Sequence, residues 1–251
     1  MLGRLRLDLA VATGLALLVI LSRAPFPGRI LYHWDSINFA YALQHFDVAA
    51  SQPHVPGYIL YVALARMVNA VAHDAQRTLV AISVISSGLA VAALYVLGLT
   101  WFDRRTALLG AGFLATSPLF WFYGEVALPH SLDCFVVIVA VWLFHQLIEG
   151  HAALAVPAAI WLGLAGGLRP QTQLFLMPVA AYAFWQIGWR RSLPALAVLV
   201  VVDLAWLVPL VWLTGGPARY LEVTRQFYLK FNTTTSVLNG AGVPGLARNL
   251  T

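Results

Sequence analysis

The sequence predicts an all-α protein, a polytopic transmembrane helical bundle of about seven spans with amphipathic interfacial helices in its first outer loop. Three observations carry that prediction. Hydrophobic residues make up 61% of the chain and charged residues 10%, whereas soluble domains average about 25% charged residues. Apolar runs of about 18 residues or more recur, the length a helix needs to cross roughly 30 Å of hydrocarbon. The runs are continuous and lack the alternation of a membrane β-barrel, and only helices or closed barrels satisfy their backbone in lipid.

The elements follow in order. A basic start leads into the first span, residues 7–21; Asp8 and the lack of a small-x-small cleavage site argue against a cleaved signal peptide. Residues 22–56 are polar and aromatic. Residues 57–72 are apolar but carry Arg66 in their middle, which suits an interfacial or partly inserted helix. Residues 79–101 form a span closed by Asp103-Arg104-Arg105, and residues 106–122 form another, followed by the polar turn YGEVALPHSLD. Further spans cover 131–147, 152–168 and 171–187, the last two hinged at GGLRPQ. The final span is 194–213, with Asp203 inside it, and 215–251 is a polar tail. The chain thus divides into a transmembrane module, 1–214, and an outer-face loop or tail, 215–251.

The formal charge is +5 and the chain has one cysteine, Cys134. No basic cluster of the kind that binds a nucleic-acid backbone is present, and one cysteine excludes an intrachain disulfide. With a cytoplasmic N-terminus, Arg4, Arg6, Arg104, Arg105, Arg190 and Arg191 lie inside near span ends. Arg23, Arg29, Arg66, Arg77, Arg169, Arg219, Arg225, Lys230 and Arg248 lie outside. That six-to-nine split departs from the positive-inside pattern, although the pairs Arg104-Arg105 and Arg190-Arg191 favour this orientation. An anionic ligand at the outer face would account for the outer surplus, as would solvated loop charge.

Ionisable residues gather in the outer loops. YHWDSINFAYALQHFD, residues 32–47, opens with Asp35-Ser36, a good helix N-cap, followed by Phe39, Ala42, Leu43 and Phe46 on one helical face. Asp35 reads either as that cap or as a carboxylate at the membrane boundary, shielded by Tyr32 and Trp34. Shielding would raise its pKa towards that of a base, and a helix N-terminus would lower it. His54 sits between Pro53 and Pro56 in a backbone with little freedom. Glu125, His130 and Asp133 fall on the same side as Asp35, as turn residues or as a second group facing the same outer cavity. Arg169, flanked by Gly166, Gly167 and Pro170, could snorkel to the interface or present its fork to a phosphate. Asp203 lies mid-span, where an ionisable group usually faces a partner or cavity. His33, Asp35, His45, Asp47 and His54 could ligate a divalent metal, but their spacing matches no tight metal motif. The tripeptides NTT at Asn232 and NLT at Asn249 match the glycosylation acceptor pattern.

The order of these motifs resembles the N-terminal half of the GT-C superfamily of polytopic glycosyltransferases that use lipid-phosphate sugars. An Asp after the first span, a surface helix, PHVPGYILYVALARM and RRTALLGAGFLATSPLFWFYGEVALPHSLDCF carry the resemblance. It covers roughly residues 7–213 and is nearest to the protein O-mannosyltransferase and aminoarabinose transferase-like group. The chain departs from it where Ser36 follows Asp35 instead of Glu and where His130 replaces an Asp. Members of the superfamily are also usually longer, so the chain is expected to be a piece of a larger protein.

The resemblance implies inverting transfer of a sugar from a polyprenyl phosphate to a protein, lipid or glycan acceptor. The site would lie at the outer face of a bacterial-type inner membrane. Asp35 is then the general base, Arg169 holds the phosphate with Arg66 or Arg77, Glu125 and His130 orient acceptor or sugar, and His54 joins the substrate-binding set. No cofactor is required by this scheme, though a divalent metal is compatible with it. A transporter or lipid-sugar flippase is the alternative, built on Asp203 and the broken GGLRPQ region.

Overall fold

The structure, a computed structural model, describes residues 2–235 and 242–244. Arg248 and Asn249 lie outside them, and Asn232 falls in the last helix. The described residues are helical apart from an isolated antiparallel bridge between Asp47 and Gln52. The helices are α1 (Leu2–Arg23), α2 (Trp34–Gln44), α3 (Ile59–Ala72), α4 (Ala75–Trp101), α5 (Arg104–Thr116), α6 (Pro118–Glu125) and α7 (His130–Ile148). A 3₁₀ turn at Ala152–Leu154 then leads into α8 (Ala155–Leu168), α9 (Pro170–Gln186), α10 (Trp189–Leu213) and α11 (Pro217–Thr235).

Three of these helices, α4, α7 and α10, are long and apolar enough to cross a membrane, and a fourth crossing results if α5 and α6 count as one bent span. A multi-pass integral membrane protein follows, with three or four candidate spans in place of about seven. The difference has local causes. The run over 106–122 breaks at Ser117 because Pro118 disfavours helical backbone in the residue before it; Ser117 has ψ 123°, and the two halves meet at 60°. Helix α8 has 14 residues and α9 has 17, short of the roughly 20 that a span uses. Helix α1 is 22 residues long but carries Arg6, Asp8 and Arg23.

Helix α4 is the hub, packed against α1, α5 and α7; α7 continues the bundle to α8 and α9, and α8 packs on α10. Gly88 lets α1 and α4 approach closely: a Cβ there would stand 2.6 Å from the Ala16 carbonyl oxygen. At one end of the bundle Asp8 accepts from Arg104 at 2.7 and 2.9 Å and from the Tyr95 hydroxyl at 3.0 Å. That pairing offsets the cost of a carboxylate within α1. At the other end Arg23 is fully buried, its guanidinium over the rings of Phe120 and Trp121.

Above α4, the predicted apolar face of α2 is real: Phe39, Ala42 and Leu43 are buried against Tyr58, Tyr61 and Val62 of the α3 region and Leu79 of α4. Residues 217–235, read from sequence as polar tail, form α11. Its Val223 is buried with Val48, Val55, Trp206 and Leu210, and its Tyr220 hydroxyl donates to the Pro56 carbonyl at 3.1 Å.

Candidate active site

Helix α2 begins two residues earlier than the Asp35-Ser36 cap predicts. His33 is the N-cap, and its Nδ1 accepts from the Asp35 backbone N–H at 3.1 Å. The Asp35 carboxylate is therefore released from capping and projects from the first turn. Its Oδ2 lies 3.4 Å from the same His33 Nδ1. That nitrogen is the one that accepts the Asp35 backbone N–H. Tyr32 and Trp34 are both exposed; Tyr32 packs edge-on against Phe122. The neighbour that meets the Asp35 carboxylate is instead His54.

The chain from 47 to 58 is built to hold His54 in place. The Asp47 carboxylate accepts from the N–H groups of Ala49 and Ala50 at 2.9 and 3.2 Å, and Asp47 and Gln52 exchange backbone hydrogen bonds at 2.6 and 2.7 Å. Both prolines flanking His54 follow cis peptide bonds. Gly57 takes φ +112°, and a Cβ there would meet Leu210 Cδ1 at 2.5 Å, so glycine is required twice over. The His54 ring is packed among Tyr58, Phe39 and Phe227, at centroid distances of 5.0, 5.8 and 6.1 Å. Its Nδ1 lies 3.3 Å from Asp35 Oδ1, within ion-pair reach but off the axis of a hydrogen bond. Burial pushes the His54 pKa below its ordinary value, and Asp35 opposes that shift only in part. Burial likewise raises Tyr58.

Asp35 and His54 open into a cavity of about 380 Å³. Trp34, Asn38 and the 48–55 loop form one wall, and Arg219, Gln226, Phe227 and Lys230 of α11 form the other. The contribution of α11 is not visible in the sequence as a motif. Its signal is periodicity alone, since Tyr220, Val223 and Phe227 fall at helical spacing within an otherwise polar stretch.

A second polar group stands beside this cavity. Arg169, at the junction of α8 and α9, donates to Asp133 at 2.7 Å, and the Thr172 hydroxyl bonds the other oxygen of that carboxylate. Arg169 and Asp35 both act electrostatically on His54 and Tyr58, and both act on His130 together with Asp133 and His33. His130 packs edge-on against Tyr123 at 4.5 Å. Asp35, His54, His130, Asp133 and Arg169 therefore form one neighbourhood.

The remaining residues predicted for the site fall elsewhere. The Glu125 carboxylate feels the charge of Arg23, and its backbone carbonyl accepts from Gly28 at 2.8 Å. Arg66 donates to the Ala42 carbonyl at 2.8 Å, joining α3 to the C-terminal turn of α2. Arg77 lines a different cavity, which shares no residue with that of Asp35. Asp203 is gripped by the Gln173 amide at 3.0 and 2.9 Å, with the Trp206 indole at 3.3 Å. A carboxylate so engaged between α9 and α10 offers a transporter reading little. Asp47, a predicted metal ligand, is spent on its own turn. Among the described residues no group of three or more His, Cys, Asp or Glu side chains is placed to hold a metal ion.

No curated protein and no solved structure matches the chain. A family match covers residues 53–212 and so takes in His54, Arg66, Arg77, Glu125, His130 and Arg169, with Asp35 and α11 outside it on either side. The family uses a lipid-phosphate sugar and an acceptor. With well over half its length matched, the chain belongs to the dolichyl-phosphate-mannose-protein mannosyltransferase family of membrane glycosyltransferases.

Proposed function

We propose that this chain transfers a sugar, with inversion, from a polyprenyl phosphate to an acceptor hydroxyl in the Asp35 cavity, at the outer face of the membrane. The observation that carries the reading is the Asp35 carboxylate, free of capping duty and 3.3 Å from a half-buried histidine, facing basic residues of α11 across one cavity. Displacement at the anomeric carbon needs a base for the acceptor proton. The acceptor oxygen forms its bond to that carbon as the carbon–oxygen bond to phosphate breaks. The hydroxyl proton passes to Asp35, and the bonding pair leaves with the polyprenyl phosphate. Phosphate is a good leaving group and needs cationic stabilisation more than an acid. Arg219 and Arg169 supply it in this reading. His54 packs against the carboxylate and limits where it can swing, and His130 orients sugar or acceptor. Arg66 acts through its grip on α2, and Glu125 through Arg23.

The short and charged helices α1, α8 and α9 cross the bilayer beside α4, α7, α10 and the bent α5–α6 pair in this reading, which gives seven crossings. The N-terminus is then cytoplasmic, in a bacterial-type inner membrane. Residues 1–214 act as the transmembrane catalytic module, and the outer-face tail that follows contributes α11, through Arg219, Gln226, Phe227 and Lys230, to the wall of the site.

The test is transfer from labelled polyprenyl-phosphate sugars by membranes containing the full chain or its Asp35→Asn variant. The substitution keeps shape and removes the base. Loss of turnover by about 10²–10⁴, with unchanged thermal melting, is the expected result. Turnover at the wild-type rate removes Asp35 from the chemistry.

A further inference from the structure

A second cavity, of about 540 Å³, lies apart from the one at Asp35. It lies between the α1–α2 connection and α4. Arg29 and Arg77 line it, and the Gln76 amide donates to the Gly28 carbonyl at 2.5 Å, pinning the connection to the start of α4. The Asp74 carboxylate on its rim is occupied, accepting from the Arg77 backbone N–H at 2.8 Å as the N-cap of α4. Among the described residues neither Arg29 nor Arg77 comes within ion-pairing distance of a carboxylate. Two guanidinium groups thus share one cavity with the single carboxylate of Asp74, which leaves the cavity with a net positive charge.

The wall beneath them is apolar and belongs to one helical face. Val80, Ala81, Val84 and Ile85 line the cavity, at offsets of three, four, seven and eight residues from Arg77, which places them in a single stripe below it. Ile85 is 49% exposed and Leu89, one turn on, is 39% exposed. The stripe therefore opens outward along a helix long and apolar enough to span the bilayer. From Arg77 to Leu89 it descends about 18 Å at the helical rise. Cationic groups above a lipid-facing apolar stripe match a molecule with an anionic head and a hydrocarbon tail.

We propose that this groove binds an anionic bilayer phospholipid, its phosphate between Arg29 and Arg77 and an acyl chain along Ala81, Ile85 and Leu89. The chain between α1 and α4 contains both this groove and Asp35, so the lipid sits on the same face of the membrane as the candidate active site but at a separate mouth. The inference rests on the membrane-spanning reading of α4 and not on the role of Asp35.

Native mass spectrometry of the purified full chain in neutral detergent tests it, with phosphatidylglycerol, phosphatidylcholine and inorganic phosphate as probes. Wild type retains phosphatidylglycerol in preference to phosphatidylcholine. The R29Q/R77Q variant loses that retention by about thirtyfold, the equivalent of about 1 kcal/mol for each arginine near the headgroups. Its weak binding of phosphatidylcholine and its melting temperature stay at wild-type values. Should the double variant fail to fold, R29Q and R77Q carry the test singly, each with about a fivefold loss. Equal retention of the two lipids by wild type, or equal phosphatidylglycerol retention by wild type and variant, overturns the site. Full displacement of the lipid by inorganic phosphate reduces it to an anion pocket and overturns the lipid assignment.

Discussion

His54 Nδ1 stands 3.3 Å from Asp35 Oδ1, joining a histidine inside the family-matched stretch to a carboxylate that precedes it. The histidine is packed by three aromatic rings and the carboxylate rises from the first turn of α2, so each is fixed by different elements. Their meeting depends on the 47–58 turn and on its seat against α10.

That turn makes Gly57 intolerant of any side chain. Alanine there would take φ +112° and put its Cβ 2.5 Å from Leu210 Cδ1. Gly57→Ala should cost about 1–3 kcal/mol from strain and overpacking. It should also lower transfer, because His54 would shift against Asp35. Thermal melting in detergent reads the first effect. A double-mutant cycle with Leu210→Ala should show favourable coupling, and an additive result would mean that the clash is relieved elsewhere.

Acid should weaken the protein through His54. The free side chain titrates near 6.5, and burial holds the folded-state value below that. Between the two values the unfolded chain binds more protons than the folded one, so stability rises with pH across that window. The contribution is complete above about pH 6.5 and is lost as pH falls through the folded value. His54→Gln should flatten the acid limb of a melting-temperature profile. An unchanged limb would place the proton uptake on another group.

Arg169 and Asp133 are bound at 2.7 Å with Thr172 on the same carboxylate, which engages one nitrogen of the planar arginine fork. Arg169→Lys keeps the charge and loses that fork. Transfer should fall by about 10²-fold as positioning loosens. Asp133→Asn should destabilise by about 1.5–3 kcal/mol because a charge-assisted bond is lost. Lysine at 169 with full activity would show that a point charge suffices.

Arg219 is the cation whose role is easiest to separate from folding, since it is exposed and lines the Asp35 cavity. Arg219→Gln should raise KM for the polyprenyl-phosphate sugar about tenfold, the loss of one charge-assisted contact, and leave melting unchanged. The difference should shrink at high salt. An unaltered KM would make Arg219 a solvated surface charge.

The membrane class, the apolar face of α2 and the grouping of Asp35, His54, His130 and Arg169 were legible in the sequence because each depends on composition, local period or loop order. The number of spans was not, because hydropathy reads 106–122 as one run and cannot see that Pro118 turns it by 60°. Asp35 was legible as a residue but not in its surroundings. Nothing local says that His33 takes the cap or that His54, far along the chain, meets the carboxylate. Arg66 and Arg77 were grouped with Arg169 by sign of charge and side of membrane, and only packing separates them. Helix α11 was missed for the opposite reason: its polar composition hid Val223 and Phe227, which line the cavity.

The ring of Phe227 lies nearly parallel to that of His54, with an interplanar angle of 19°, and Val223 beside it is buried. Water is the most abundant competitor for any activated anomeric carbon. An enzyme of this type must choose between its acceptor and simple hydrolysis of the donor. Under the proposed function that choice would fall to an apolar patch on α11 rather than to the base, because a carboxylate cannot tell one hydroxyl from another, whereas a dry wall can refuse the smallest. Fidelity and rate are thereby divided between two parts of the chain. Phe227→Ala should release free monosaccharide at the expense of glycosylated acceptor, while the total consumption of donor stays close to that of the wild type.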